Sequence, residues 1–266
     1  MLQTDLQQLA SLVVDIAGRE LPPRFNCRQG ERKSDGSLVT EADLVVQQAL
    51  ADALHRHWPD IGLLGEEMSA PAQQAALQNY TGGVWCIDPL DGTSNFAVGV
   101  PYYAVSVALV RDGRPLMGVV YDPSRNECFT ALAGQGAWLN DQPLGVASPA
   151  ATLRESLALI DFKRLSPTLA ARLAAEPPYK SQRSFGAVAL DWCWLAAGRG
   201  HLYLHGRQKL WDYAAGYLVL LETGGMALTL SGEDVFNAEL EPRSAAAALD
   251  PALFEQWKNW LQIPDG

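Results

Sequence analysis

Two carboxylates three positions apart, Asp88 and Asp91, end an apolar run over residues 84–87, with Pro89 between them and Gly92-Thr93 after them. A buried strand that finishes in unpaired acids is costly unless something positive sits beside it. Oxygen-rich clusters of this kind suit hard cations such as Mg²⁺. Gly92 and Thr93 open a candidate helix whose free N–H groups favour an anion. A divalent metal beside an anion-binding turn suggests phosphate chemistry. Taken alone, Asp-Pro and Asp-Gly are also ordinary turn punctuation. Two further acidic elements narrow the reading. Gly65-Glu66-Glu67 follows a second apolar run, and Trp211-Asp212-Tyr213-Ala214-Ala215-Gly216 opens a helical segment that closes at Glu222-Thr223-Gly224-Gly225. Acids at three element ends, far apart in sequence, are what a multinuclear metal site requires.

The elements that must position these acids read as a mixed α/β chain. Leu2, Leu6, Leu9, Val13 and Ile16 recur at helical spacing, and residues 40–54 resume that pattern until Pro59. Residues 30–37 are polar and glycine-flanked, which reads as a mobile loop. Residues 103–140 alternate in short runs split by turn residues, an antiparallel meander. After about residue 150 the rhythm becomes strand–helix alternation: a strand over 157–160, then 167–175, 180–185, a helix over 187–197, a strand over 202–204 and a helix over 212–222. A strand over 245–249 and a helix over 251–261 complete it. The change suggests two subdomains, 1–150 and 151–266.

Composition fits a globular enzyme: 266 residues, 48% hydrophobic and 19% charged. The formal charge of −10 argues against nucleic acid as a general partner and means that bulk electrostatics repel an anionic substrate. Attraction must then be local, from bound Mg²⁺ and aimed backbone dipoles. No apolar stretch reaches the length of a membrane span, and Asp5 and Asp15 replace a basic secretory start. The four cysteines, 27, 86, 128 and 193, have neither metal-finger nor redox spacing, so reduced thiols in the cytoplasm are expected.

Residues 85–96, Trp-Cys-Ile-Asp-Pro-Leu-Asp-Gly-Thr-Ser-Asn-Phe, resemble the first signature of the inositol monophosphatase family, with Ser94 in place of Thr. Residues 211–225 resemble its second, with Thr223 in place of Ala. Gly65-Glu66-Glu67, the segment 39–43 and the Gly134-Gln135-Gly136-Ala137-Trp138-Leu139-Asn140 hairpin also match, in the family's order, over roughly residues 30–250. The resemblance implies a layered α-β-α-β-α sandwich of the inositol monophosphatase and fructose-1,6-bisphosphatase type. It further implies a lithium-sensitive, Mg²⁺-dependent phosphomonoesterase with two or three ions, usually a homodimer, acting on a small phosphate ester. Neither membrane nor nucleic acid is among its expected partners.

By that resemblance Glu66, Asp88, Asp91, Asp212 and the Leu90 carbonyl ligate metal, while Glu66, Thr93 and Asp43 activate the attacking water. Glu66 also reads as a solvated loop acid, Asp212 as a helix N-cap, and Asp43 as part of a Thr40-x-x-Asp43 capping box. Gly92 and Thr93 would hold phosphate oxygens, joined on the substrate side by Asp91, Ala187, His205 and Asp212. Lys33 reads either as a phosphate contact or as a solvated loop charge. Inositol-phosphate members carry a Glu where this chain has His205, with Arg207 and Lys209 nearby, and Ser184-Phe185-Gly186-Ala187-Val188 lacks the family's Thr hydroxyl. A sugar phosphate, a nucleotide phosphate or a second anionic group suits these residues better than myo-inositol 1-phosphate, unless His205 simply faces solvent. The alternatives are a 3′(2′),5′-bisphosphate nucleotidase and a regulatory protein that retains the phosphatase fold.

Overall fold

The computed structural model describes residues 2–26, 30–32, 38–79, 82–145 and 152–264. In chain order these form α1 (Leu2–Glu20), a short hairpin of β1 (Glu31–Arg32) and β2 (Leu38–Val39), α2 (Glu41–His57), β3 (Gly62–Gly65), α3 (Ala70–Asn79), β4 (Val84–Asp91) and α4 (Thr93–Val98). A meander follows: β5 (Ala104–Arg111), β6 (Arg114–Asp122), β7 (Glu127–Leu132), β8 (Gly136–Leu139) and β9 (Gln142–Pro143). The rest alternates: β10 (Leu157–Asp161), α5 (Pro167–Ala175), β11 (Ser181–Arg183), α6 (Val188–Ala196), β12 (Leu202–Gln208), α7 (Leu210–Glu222), β13 (Met226–Leu228), β14 (Arg243–Ala248) and α8 (Pro251–Leu261).

Two sheets result. The seven-stranded sheet runs β3 to β9 in sequence order, antiparallel except where α3 carries the chain from β3 to its parallel neighbour β4. The five-stranded sheet has the order β11-β10-β12-β14-β13 and is mixed, because β14 runs antiparallel to both its neighbours. The sequence pattern there indicated plain strand–helix alternation and missed β13 and its return strand pairing. It also missed α3, whose Ala/Gln-rich sequence carries little helical stripe.

Strict side-chain alternation lets each sheet serve two cores. On β5, Val105, Val107 and Leu109 face α1 and α2, while Ala104, Ala108 and Val110 face α6 and α7. On the second sheet, Leu159, Tyr203, Ala245 and Ala247 face the same middle helices, whereas Ile160, Leu204, Ala246 and Ala248 face Phe254 and Trp257 of α8. Five layers follow: α1 and α2, seven strands, α6 and α7, five strands, then α5 and α8. With both faces covered, β4 is buried along its whole length, and its residues 84–87 read as one apolar run rather than an alternation. The middle helices come from the second half of the chain but pack on the first sheet, so the two halves share one core. Among the described residues no helix is long and apolar enough to cross a membrane, and Cys86, Cys128 and Cys193 are free thiols.

Candidate functional site

Strand β4 does not stop before its acids, as its sequence suggested, but carries through to Asp91. Pro89 has no N–H to give the ladder, and the register with β5 slips between Asp88 and Asp91, a bulge that re-aims both carboxylates. Asp88 Oδ1 accepts from Leu90 N at 3.0 Å, and Asp91 Oδ2 accepts from Ala189 N in the first turn of α6 at 2.6 Å. Gly92 then takes φ +87°, and a Cβ there would lie 3.0 Å from the Tyr102 carbonyl oxygen, so the turn into α4 needs glycine. Asn95 braces the same turn, its Nδ2 donating to the Tyr102 and Phe185 carbonyls.

Strand pairing and two hydrogen bonds bring the other acids to this bulge. Glu66 N donates to Ile87 O at 3.2 Å, so the end of β3 lies against the residue before Asp88. Asp88 stands opposite Ser106 on the β4–β5 ladder, and Ser106 Oγ donates to the carbonyl of Trp211, the residue before Asp212. Asp212 occupies the third position of α7, where its Oδ2 accepts from Lys209 N at 2.8 Å. Lys209, not Asp212, is thus the helix N-cap. Asp43 makes both arrangements expected of it. One oxygen accepts from Thr40 N and Thr40 Oγ1 at 2.7 and 2.6 Å, closing the start of α2. The other lies 3.0 Å from Thr93 Oγ1, which is also 2.9 Å from Leu90 O. That hydroxyl has one proton and two acceptors.

Burial pushes the Asp88 carboxyl well above the usual range, and Glu66, Asp91 and Asp212 push it the same way; only Leu90 N–H opposes them. Asp91 is raised well above it too, by burial and then Asp212, against the N–H groups of Ala189 and Val188. Burial and Glu66 raise Asp212 to about 7, with Lys209 N–H, Arg164 and Lys209 pulling down. Asp43 is raised by burial despite Thr40 and Thr93, and Glu66 adds to the rise. Glu66, Asp88, Asp91 and Asp212 therefore share one field. By position alone, no three His, Cys, Asp or Glu side chains among the described residues form a ready-made metal cage. The donor set nevertheless fits a hard divalent cation: every group is a carboxylate or carbonyl oxygen, and positive charge relieves the repulsion that burial magnifies.

The structure reaches the remaining expected residues unevenly. Lys33 lies outside the described residues. Ala187 is fully buried behind the Gly92 turn, backbone included. His205 does not face solvent: it is 3% exposed, its Nδ1 accepts from Arg207 N at 3.2 Å, and its Nε2 lies 3.4 Å from Asp161 Oδ2. Three supporting residues went unread in the sequence. Gln47 Oε1 accepts from Glu67 N, and Gln73 Nε2 donates to the carbonyls of Gly65 and Glu66, fixing the Gly-Glu-Glu turn. Asp161, at the end of β10, carries no motif; its one signal was a polar residue closing an apolar strand. A cleft of about 420 Å³ lined by Phe162, Leu173, Pro177 and Tyr179 lies along the β11 edge and includes none of the clustered carboxylates.

A sequence model described as "Inositol monophosphatase family" matches residues 2–260. "Nus factor SuhB" of Xylella fastidiosa is 36% identical over 207 residues, covering 76% of this chain and 73% of that protein. "Inositol monophosphatase 1" of Solanum lycopersicum is 34% identical over 245 residues, covering 88% and 85%. Among solved structures, a Thermotoga maritima IMPase superposes with a TM-score of 0.81 at 27% identity, covering 98% of this chain and 96% of that one. A staphylococcal IMPase-II solved with 2′AMP bound gives 0.80 at 27%, covering 96% and 93%. The same enzyme with inositol monophosphate bound gives 0.79 at 26%, covering 96% and 92%.

Proposed function

Because this chain belongs to the inositol monophosphatase family, and is therefore a phosphoric monoester hydrolase, we propose that it hydrolyses a small phosphorylated metabolite with the help of Mg²⁺. The observation that carries the reading is the way the Glu66–Ile87 backbone bond, the β4–β5 ladder and the Ser106 hydroxyl on Trp211 O bring Glu66, Asp88 and Asp212 toward one another, next to a Thr93 hydroxyl held 3.0 Å from Asp43.

In this reading Glu66, Asp88, Asp91, Asp212 and the Leu90 carbonyl hold two or three ions. Bound ions supply charge neutralisation for phosphate oxygens and lower the pKa of water. The protein supplies position. Asp43, kept in place by its two bonds to Thr40, accepts the Thr93 proton and so turns the threonine lone pairs toward an incoming water. Glu66, beside Asp43 and Asp88, takes the proton of the attacking water as general base. Gly92 and Thr93 N–H groups hold the phosphate oxygens in line for displacement, with Asp91 and Asp212 on either side. The expected products are inorganic phosphate and an alcohol, with no covalent phosphoenzyme and with inhibition by lithium. A homodimer and a cytoplasmic location complete the proposal; sedimentation equilibrium at micromolar concentration tests the first, and a monomer there removes it.

The decisive experiment is a screen of purified protein against inositol, sugar and nucleotide monophosphates and adenosine 3′,5′-bisphosphate. Turnover that needs Mg²⁺ and stops on chelation is expected. Absence of cleavage of every ester with Mg²⁺ or Mn²⁺ overturns the proposal. The bisphosphate arm tests the nucleotidase alternative, which the staphylococcal complex with 2′AMP and the nearby Arg207 and Lys209 favour. A regulatory reading has its own support, since similar bacterial proteins carry the name Nus factor. Comparing pull-downs by the parent protein and Asp91→Asn separates the roles: partners captured equally by both favour regulation, and no partner with either removes it.

A further inference from the structure

We propose that Asp161, fixed in place by His205, is the residue that accepts hydrogen bonds from hydroxyls on the alcohol half of the substrate. This rests on the hydrolase reading above and deepens it.

At position 205 this chain has an imidazole where inositol-phosphate hydrolases of its family carry a glutamate. An imidazole could replace a carboxylate in substrate contact only if a ring nitrogen were free. Neither is. Arg207 N donates to Nδ1, which assigns the ring proton to Nε2, and Nε2 points at Asp161 Oδ2. The ring is buried and lies parallel to that of Tyr203, with centroids 6.3 Å apart. His205 is thus a positioning residue, and the group it positions is an acid.

Asp161 has the opposite character. Its side chain is 23% exposed, and Lys163 N donates to Oδ1 at 3.0 Å, so each oxygen uses one acceptor site and keeps another. It is the register partner of His205 on the parallel pair β10–β12 and closes β10. Carboxyl ends of parallel strands are where ligands collect in α/β sheets. Strand β12 leads from His205 to the start of the helix that carries Asp212, seven residues on. The turn after Asp161 is held there by close packing: a Cβ on Gly206 would run into the Arg164 carbonyl oxygen. The Arg164 charge acts on both Asp161 and Asp212, and His205 helps hold the Asp161 carboxyl below its usual range in spite of burial. An ionised carboxylate accepts only, which is the complement of a hydroxyl donor. The acceptor missing from β12 is therefore supplied by the neighbouring strand, one register position across. The ligand class is a polyhydroxylated phosphate monoester, a cyclitol, sugar or ribose phosphate, rather than an alkyl or aryl phosphate.

The test compares kinetics on ribose 5-phosphate, myo-inositol 1-phosphate and 4-nitrophenyl phosphate, whose leaving group has no aliphatic hydroxyl, with Mg²⁺ present. The measured quantity is the ratio of kcat/KM for the better hydroxylated ester to that for the aryl ester. Asp161→Asn is expected to lower this ratio at least tenfold, mostly through KM. His205→Leu should lower it comparably. His205→Gln, whose amide can accept from Arg207 N and donate to Asp161, should restore it to within about threefold of the parent. A ratio unchanged in Asp161→Asn, or a His205→Gln no better than His205→Leu, overturns the assignment while leaving the hydrolase reading intact. A parent protein that cleaves none of the three esters removes both together. Loss of all turnover in Asp161→Asn with an unaltered Tm counts against the assignment, because it marks a role in chemistry rather than in recognition.

Discussion

The two walls of the site are built on opposite electrostatic plans. On the wall formed by β3 and β4, Asp88 and Asp91 meet backbone N–H groups and one another, and both carboxyls stand well above their ordinary range. On the wall formed by β10, β12 and the start of α7, each acid has basic company. His205 and Arg164 act on Asp161, while Arg164 and Lys209 act on Asp212. Among the described residues the chief influences on Asp88 and Asp91 include no basic side chain, and in the proposed mechanism the neutralising charge is a cation from solution. The second wall has Arg164 beside both of its acids, so Asp161 and His205 can change with the substrate while Asp212 is kept for the ions. That division explains how the Asp88–Asp91 segment can keep the family pattern while position 205 departs from it.

Breaking the first wall should have the largest effect. Asp91→Asn keeps the acceptor for Ala189 N but removes one charge, and turnover should fall about 10³-fold or more in a phosphate-release assay. In the absence of divalent cation the same variant should melt no lower than the parent, because repulsion among buried acids is relieved. A variant that retains activity, or melts well below the parent without cation, contradicts the plan. The corresponding gain from ligand is next: Mg²⁺ at 100 times its Kd should stabilise the parent by about 2.7 kcal/mol in calorimetry, with a clearly smaller gain for Asp91→Asn.

Between the walls lies Asp191, which burial pushes up to about 7 against the hydrogen bond from Tyr102, with the Asp161 charge adding to the rise. Asp91 faces it as a further like charge. The folded state thus keeps the proton between the carboxylate's ordinary 3.8 and about 7, so stability falls as pH rises through that window. Relative to Asp191→Asn, the parent should lose on the order of a few kcal/mol across it in urea denaturation series. A difference that is flat with pH, or that grows, contradicts the assignment of a protonated acid.

The smallest effect should come from a carboxylate that belongs to neither wall. Glu222, closing α7, accepts from Gly134 N and Gly136 N at 2.7 and 2.8 Å and so ties that helix to the β7–β8 turn. Glu222→Gln keeps one acceptor and should cost about 1 kcal/mol in melting experiments with kcat retained. A loss of turnover to match Asp91→Asn would place this acid in the chemistry and blur the contrast.

Much of the architecture was legible because helices and strands write distinct periods into a chain. Residues 251–261 read as a helix and form α8, and the 103–140 alternation is the β5–β8 meander. The positions of the acids were legible for a similar reason: Asp88, Asp91 and Glu66 stand beside glycines and apolar runs that locate them at element ends. Residues 134–140 and 222–225 stood out as motifs, but their meaning was absent until the fold joined them through Glu222. The roles near position 205 were hidden in the same way. Sequence spacing put His205 seven residues before Asp212 and could not show that both its nitrogens are spent, nor that Asp161, forty-four positions upstream, is its register partner. Types and periods are local and survive in one dimension. Which oxygen accepts which proton across two strands depends on register, and register exists only once the sheet has formed.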